Sequence, residues 1–192
     1  PSIYALGHRA VKDIFTSPVV VQEKIDGSQI SFSVIEGELH IRSKGAVIHE
    51  ADKTNKMFAV GVAAIQAVRE KLRPGYVYRG EYLMKPKHNA LAYNRVPSNY
   101  IILFDVEYGV QNFFESWELT KEAERLGFET VPTLVCGELQ RYTIEQFKEL
   151  LQLESILGGP KIEGVVIKNY NLWGPDKKML MAKFVSEQFK EA

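Results

Sequence analysis

The stretch from Val19 to Phe32 constrains the fold more than any other. Three consecutive valines run into Glu23-Lys24-Ile25-Asp26-Gly27-Ser28 and leave through Ile30 and Phe32. Consecutive β-branched residues favour a buried, pleated backbone, and Asp-Gly is a turn signal. Ile30, Phe32 and Val34 alternate with Gln29, Ser31 and Ser33, the period of a half-buried strand. The pattern predicts strand, turn, strand, with Lys24 where the buried strand ends and faces its mouth. Taken alone, the same pattern describes a lysine whose stem covers apolar surface while its ammonium reaches water.

The 192 residues, 45 % of them hydrophobic, suffice for one substantial core and predict a single domain spanning residues 1–192. The 24 basic and 24 acidic residues cancel, so no global charge draws the chain to nucleic acid or membrane and any nucleic-acid contact must be local. The lone Cys136 excludes an internal disulfide, suits a reducing compartment and reads as buried filler. Pro1-Ser2-Ile3 carries no secretory pattern and no apolar run approaches the length of a membrane span, which predicts an intracellular, cytoplasmic protein.

Further along, residues 8–16 read as a short helix stopped by Pro18, and Glu36-Gly37 as a turn into a third strand, Glu38 to Ser43. That strand ends in Arg42-Ser43-Lys44-Gly45, which suits an anion site or a solvated hairpin end. From a Thr54 cap, Met57, Val60, Ala64, Val68 and Leu72 recur at helical spacing. Tyr76 to Leu83 reads as a strand holding Gly80-Glu81, where a glycine marks close approach of a ligand or another backbone. Residues 84–99 form a loop with Lys85, Lys87, His88, Tyr93 and Arg95, suited to a phosphate backbone or simply mobile.

Tyr100 to Tyr108 is a continuous apolar run interrupted by Asp105, a buried carboxylate that needs a partner or a metal. A helix capped by Ser116 and Gly127 follows, then a strand from Phe128 to Val135. Thr143 and Gln146 form a capping box over a helix carrying Ile144, Phe147, Leu150 and Leu151. Ile162 to Lys168 reads as a strand headed by Glu163. After a turn at Trp173-Gly174-Pro175-Asp176, Met179 to Phe184 is the last strand, and it holds Lys183. Antiparallel hairpins with helices inserted between them predict an α+β fold, antiparallel-rich sheets with flanking helices. The four histidines show no metal spacing, and Trp117 and Trp173 read as packing residues.

Lys24-Ile25-Asp26-Gly27, Arg42, Gly80-Glu81, Phe104-Asp105, Glu163-Gly164 through Lys168, and Lys183 each occupy or end an expected strand. Together they supply a nucleophile, cations for phosphates, carboxylates for a ribose and a metal, and an aromatic for a base. In this order the motifs resemble the covalent nucleotidyltransferase superfamily of polynucleotide ligases and capping enzymes, most closely its phage-type RNA ligases of the RNA ligase 2 group. The resemblance runs from Lys24 to Lys183. It implies the ligase adenylation fold, of ATP-grasp-like type, and an ATP-dependent RNA ligase.

By that resemblance, Lys24 attacks the α-phosphate of ATP, expels pyrophosphate and becomes lysyl-AMP, and the AMP then passes to a 5′-phosphate RNA end. Arg42 contacts phosphate or the RNA terminus, Glu81 the ribose, and Phe104 stacks on adenine. Glu163 acts on a Mg²⁺ or Mn²⁺ ion or orients the lysine, Asp105 supports the site as a further ligand of that ion, Lys168 and Lys183 neutralise the α-phosphate, and the backbone at Glu23 and Ile25 reads the base edge. The partners implied are RNA ends or a nicked duplex and no membrane; the setting is a phage-encoded monomer, with a C-terminal nucleic-acid-binding domain outside this chain.

The residue types fit the chemistry. A lysine with the ordinary pKa of about 10.4 is free amine in only about one molecule in a thousand at neutral pH, so neighbouring cations and a metal must activate it. One departure from the family's last motif is Met181, where a second basic residue is common. Competing readings are a DNA ligase, a GTP-using capping enzyme, or a non-catalytic nucleotide- or RNA-binding module.

Overall fold

The three valines do form a strand, but its partners are remote in sequence. In chain order the strands are β1 (Tyr4–Ala5), β2 (Val19–Lys24), β3 (Ser28–Ile35), β4 (Glu38–Ser43), β5 (Val47–Ile48), β6 (Val77–Tyr82), β7 (Ile101–Gly109), β8 (Asn112–Phe113), β9 (Glu129–Thr130), β10 (Thr133–Gly137), β11 (Gly164–Trp173) and β12 (Met179–Val185). The helices are α1 (Ala59–Ala67), α2 (Ser116–Leu126) and α3 (Ile144–Leu150). The computed structural model describes residues 3–49 and 56–186. They divide into two compact units, one of residues up to Ile25 and from Val131 onward, the other Asp26–Thr130. Sheets outweigh helices in both, so the α+β expectation holds.

The first unit is a sheet of order β1-β12-β11-β2-β10, antiparallel except for the β1 and β12 pair. One face buries Val19, Val21, Val165, Ile167, Leu180 and Ala182 against Val11, Ile14, Phe147 and Leu151. Because side chains alternate along a strand, the other face presents Gln22 and Lys24 from β2, Val166 and Lys168 from β11, and Lys183 from β12. The cross-strand register Lys24–Gly164 and Gln22–Val166–Lys183 aligns them.

The second unit is a sheet of order β5-β4-β3-β6-β7-β8, with β9 pairing β7 in parallel. Ile30, Phe32, Ile41, Tyr78, Tyr82, Ile101, Leu103 and Val106 pack on Phe58, Val62 and Ile65 of the α1 region and on Leu119, Ala123 and Leu126 of α2. The β3–β4 hairpin turns at Glu36 and Gly37, both at positive φ, which suits the twist of a tight hairpin.

Several expectations are corrected. β2 and β3 are not a hairpin: β2 pairs with β10 and β11, while β3 pairs with β4 and β6. Residues 8–16 hold a 3-10 turn at Arg9–Val11 followed by i to i−3 bonds at Ile14 and Thr16, not an α-helix. The strand expected at Phe128 to Val135 divides into β9 and β10, which join different sheets. In α1 the buried stripe is Phe58, Val62 and Ile65, while Met57 and Val60 are exposed. The segment is apolar nearly all round, so periodicity could not choose its face. Thr54 lies outside the described residues. Glu115, not Ser116, caps α2 through a reciprocal box with Glu118. Cys136, Trp117 and Trp173 are exposed rather than buried.

Candidate active site

In the first unit, β2 carries Lys24 to its end, where Nζ meets Glu163 Oε1 at 2.9 Å. Glu163 stands just before β11, and its carbonyl accepts from the Ser186 N–H at 3.2 Å. Gly164, the register partner of Lys24, has no room for a side chain: a Cβ there would sit 2.7 Å from the Phe184 carbonyl oxygen and 2.9 Å from Val185 Cα. The head of β11 can therefore lie close against β12. Lys168 is fully buried, at 1 % exposure, with Val20 and Met181 as register neighbours. Lys183 lies half-buried on the same face.

Glu23, one residue before Lys24, points away from that face. Its Oε2 accepts from Ser155 Oγ at 2.7 Å and its Oε1 from the Ile156 N–H at 2.9 Å. Burial pushes its pKa up, against the lowering effect of the Ile156 and Ser155 hydrogen bonds. Ile25 is buried, so β2 is gripped on both sides of the nucleophile candidate.

In the second unit the face away from the helices is polar. Arg42, Ser31, Arg79 and Asp105 stand in cross-strand register over β4, β3, β6 and β7. Gln29 and Glu81 make the next row. Gly80 marks the close approach of another backbone, since its Cβ would meet the Ile102 carbonyl oxygen at 2.7 Å. Asp105 is 3 % exposed, and Arg79 beside it pairs with Glu107 at 3.3 Å.

Phe104 occupies a β-bulge, because Arg79 pairs with Asp105 and Gly80 with Leu103, leaving one residue over. The bulge switches side-chain parity, so that Leu103 and Val106 both face the core and Asp105 joins the polar face.

The structure thus brings Lys24 and Glu163 into contact and sets Lys168 and Lys183 on the face of Lys24. Arg42, Glu81 and Asp105 share a face of the other sheet. The two metal-ligand candidates, Glu163 and Asp105, belong to different units. Among the described residues no three His, Cys, Asp or Glu side chains gather as a metal cluster.

A family model described as RNA ligase matches residues 17–185. The chain belongs to the RNA ligase family. No curated protein sequence matches it. Among solved structures, an alanine mutant of Naegleria gruberi RNA ligase with ATP and Mn is similar over 98 % of this chain, with TM-score 0.70 and 18 % identity. The same ligase with PPi aligns with TM-score 0.67 and 19 % identity, and another alanine mutant with AMP and Mn with 0.68 and 18 %. The chain spans 56 % of the length of each of these ligases and 98 % of it is matched. At such identity the likeness establishes a shared fold.

Within this RNA ligase family member, sequence reasoning missed the anchoring of residues 84–99. Asp26 is not a hairpin turn residue. Its Oδ2 accepts from the N–H groups of Ala90 and Leu91 at 2.8 and 2.7 Å, and its own N–H donates to Tyr93 Oη at 2.8 Å. Asn89 Nδ2 donates to the Gly27 carbonyl at 2.8 Å, and His88 Nε2 meets Ser28 Oγ at 2.8 Å. The loop is therefore pinned to the residues that follow Lys24. His88 Nδ1 accepts from the Met84 N–H. Burial lowers the His88 pKa, Asp26 opposes that shift and Lys85 adds to it. The clue available in the sequence was a buried-type tyrosine and a histidine inside an otherwise polar loop. Arg79 was also missed as a site-face residue, although period-2 counting back from Glu81 finds it; Ser31 and Gln29 join it only through cross-strand pairing with Arg42, Arg79 and Glu81.

Proposed function

We propose that the chain carries the nucleotide-transfer chemistry of an ATP-dependent RNA ligase. Lys24 attacks the α-phosphorus of ATP, so that a nitrogen–phosphorus bond forms, the bond to the pyrophosphate oxygen breaks, and pyrophosphate leaves. The AMP then passes to the 5′-phosphate of an RNA, freeing Lys24, and a 3′-hydroxyl displaces AMP to join the strands.

The observation that carries this reading is the 2.9 Å Lys24–Glu163 pair at a strand mouth, on a sheet face that also bears Lys168 and Lys183. Membership of the RNA ligase family supports it, as does the fold shared with ligases solved with ATP, AMP, Mn or PPi.

The roles follow the side-chain chemistry. Glu163 aims the lysine, while the neighbouring cations Lys168 and Lys183 favour loss of the proton that its ammonium must shed before attack. Lys168 and Lys183 offset the negative charge that gathers on the α-phosphate. On the second sheet Glu81 binds the ribose hydroxyls, Phe104 stacks on adenine from its bulge, and Arg42 takes a phosphate or the RNA end. The backbone at Glu23 and Ile25 reads the base edge.

Glu163 and Asp105 are hard oxygen donors, and the lack of a three-ligand protein cluster among the described residues fits an ion held by one carboxylate together with nucleotide phosphates, as Mg²⁺ commonly is. Such a Mg²⁺ or Mn²⁺ ion supplies charge neutralisation at the phosphates. The nucleotidyltransferase fold and a further C-terminal nucleic-acid-binding domain belong to the same reading.

The test is incubation with ATP and a 5′-phosphorylated RNA bearing a 3′-hydroxyl partner. Adenylylated RNA and joined product are expected. Equal turnover with GTP, or joining of DNA ends in preference to RNA, contradicts the proposal.

A further inference from the structure

We infer that the exposed face of α2 is a contact surface for a single-stranded stretch of RNA, with Trp117 as its base-stacking platform. The inference rests on the proposed ligase activity, and it concerns a surface that carries none of the residues assigned above.

Trp117, Lys121 and Arg125 recur every four residues and so share one face of α2, while Leu119, Ala123 and Leu126 bury the other. Trp117 is 59 % exposed, a large apolar surface to leave in water. It is nevertheless held in place. Its indole N–H donates to the Glu115 carboxylate at 2.9 Å, and the Lys121 ammonium stands 5.2 Å from the ring centroid. Beside it a groove of about 220 Å³ is lined by Phe114, Trp117, Arg73, Lys121 and Arg125 together with Glu118 and Glu122. Phe114 is backed by the rings of Tyr76 and Tyr108, at 5.8 and 5.5 Å.

The acids of the groove are already engaged. Glu122 is buried and paired with Arg73 at 2.8 Å and with Arg125. Glu118 accepts from the Glu115 N–H at the helix start. Arg73 and Arg125 remain 54 % and 36 % exposed, and each guanidinium has more donors than its glutamate consumes. What faces solvent is an aromatic plane flanked by Arg73, Lys121 and Arg125, with Glu118 half-buried beside them and Glu115 exposed at the indole edge. That is the combination by which proteins hold nucleic-acid single strands, with a base on the ring and phosphates on the cations. When a base takes the ring, Lys121 swings from its face to the neighbouring phosphate.

The chain has two tryptophans, so Trp173→Phe leaves Trp117 as the only indole reporter. Titrating that variant with a 5′-phosphorylated RNA oligonucleotide is expected to quench its emission saturably. By fluorescence anisotropy, Trp117→Ala should bind the RNA about tenfold more weakly. Lys121→Ala should lower the slope of log affinity against log salt by roughly 0.7. AMP uptake from ATP without RNA should stay unchanged in all three variants. RNA binding without any change in Trp117 emission overturns the inference, as does wild-type affinity in Trp117→Ala. Quenching by polyglutamate as strong as that by RNA also overturns it, as a surface of mere charge. A chain that takes AMP but binds no RNA refutes this inference alone. A chain that takes no AMP while RNA still quenches Trp117 refutes the ligase reading and leaves the surface standing.

Discussion

Lys24 and Glu163 are 139 positions apart and 2.9 Å from one another, and the proposed function turns on this pair. Glu163→Gln keeps the shape but removes the charge proposed to orient the lysine. AMP uptake from ATP should fall about 10- to 100-fold in that variant, with an unchanged circular dichroism spectrum. A single-turnover rate within twofold of the wild type would refute the role.

Glu23 makes a second, independent prediction. Burial raises its pKa above the ordinary 4.5, so the folded state binds its proton more tightly than the unfolded chain does. Its contribution to stability is therefore fully present below about pH 4.5 and is lost as pH rises through the raised value. Melting curves of wild type and Glu23→Gln should show the difference in Tm moving in favour of the variant between pH 4 and pH 7. A difference that does not vary with pH would contradict this sign.

Among the elements, a clamp fixes residues 84–99 to Asp26, Gly27 and Ser28 within the second unit, and β11 seats closely on β12 within the first. His88 titrates in the sense opposite to Glu23. Its pKa is lowered by burial, so the unfolded chain binds the proton more readily, and the clamp's stability is present above about pH 6.5 and lost as pH falls. Thermal melts should therefore show His88→Gln less sensitive than wild type to acidification from pH 7 to pH 5. Gly164→Ala should cost about 1–3 kcal/mol by urea denaturation, because the new Cβ meets the Phe184 carbonyl and Val185 backbone. An unchanged midpoint would mean that β12 yields without cost.

Elements whose cues are local were legible in the sequence. The β3–β4 hairpin with its Glu36-Gly37 turn, the Thr143–Gln146 capping box of α3 and the Gly127 cap of α2 all stand as read. Partners chosen by tertiary packing were not legible. Val19-Val20-Val21 says buried strand equally well whether β2 joins β3 or β10 and β11, and Asp26-Gly27 says turn whether or not a hairpin closes there. The candidate site residues Lys24, Glu163 and Lys183 are legible through ordered motifs. The anchoring by His88, Asn89 and Tyr93 is not, because their partners Ser28, Gly27 and Asp26 lie 60, 62 and 67 positions away and no local pattern records the pairing.

For the whole molecule, the balanced charge of the chain is unevenly placed on the sheet faces. Lys24, Lys168 and Lys183 are gathered on one face of the first sheet, while Arg42 and Arg79 share a face of the second. No helix among the described residues is long and apolar enough to cross a membrane. The RNA ligase family match over residues 17–185 takes in both sheets and their polar faces.

Under the proposed function, Lys24 becomes covalently bonded to AMP. The most direct measurement is the intact mass of the protein before and after incubation with ATP and Mg²⁺, with Lys24→Ala and GTP as controls. The account predicts a gain of one AMP that is acid-labile, mapped by peptide fragmentation to Lys24, and absent from both controls. No gain in a folded protein that does not already carry AMP, or the same gain in Lys24→Ala, would contradict it.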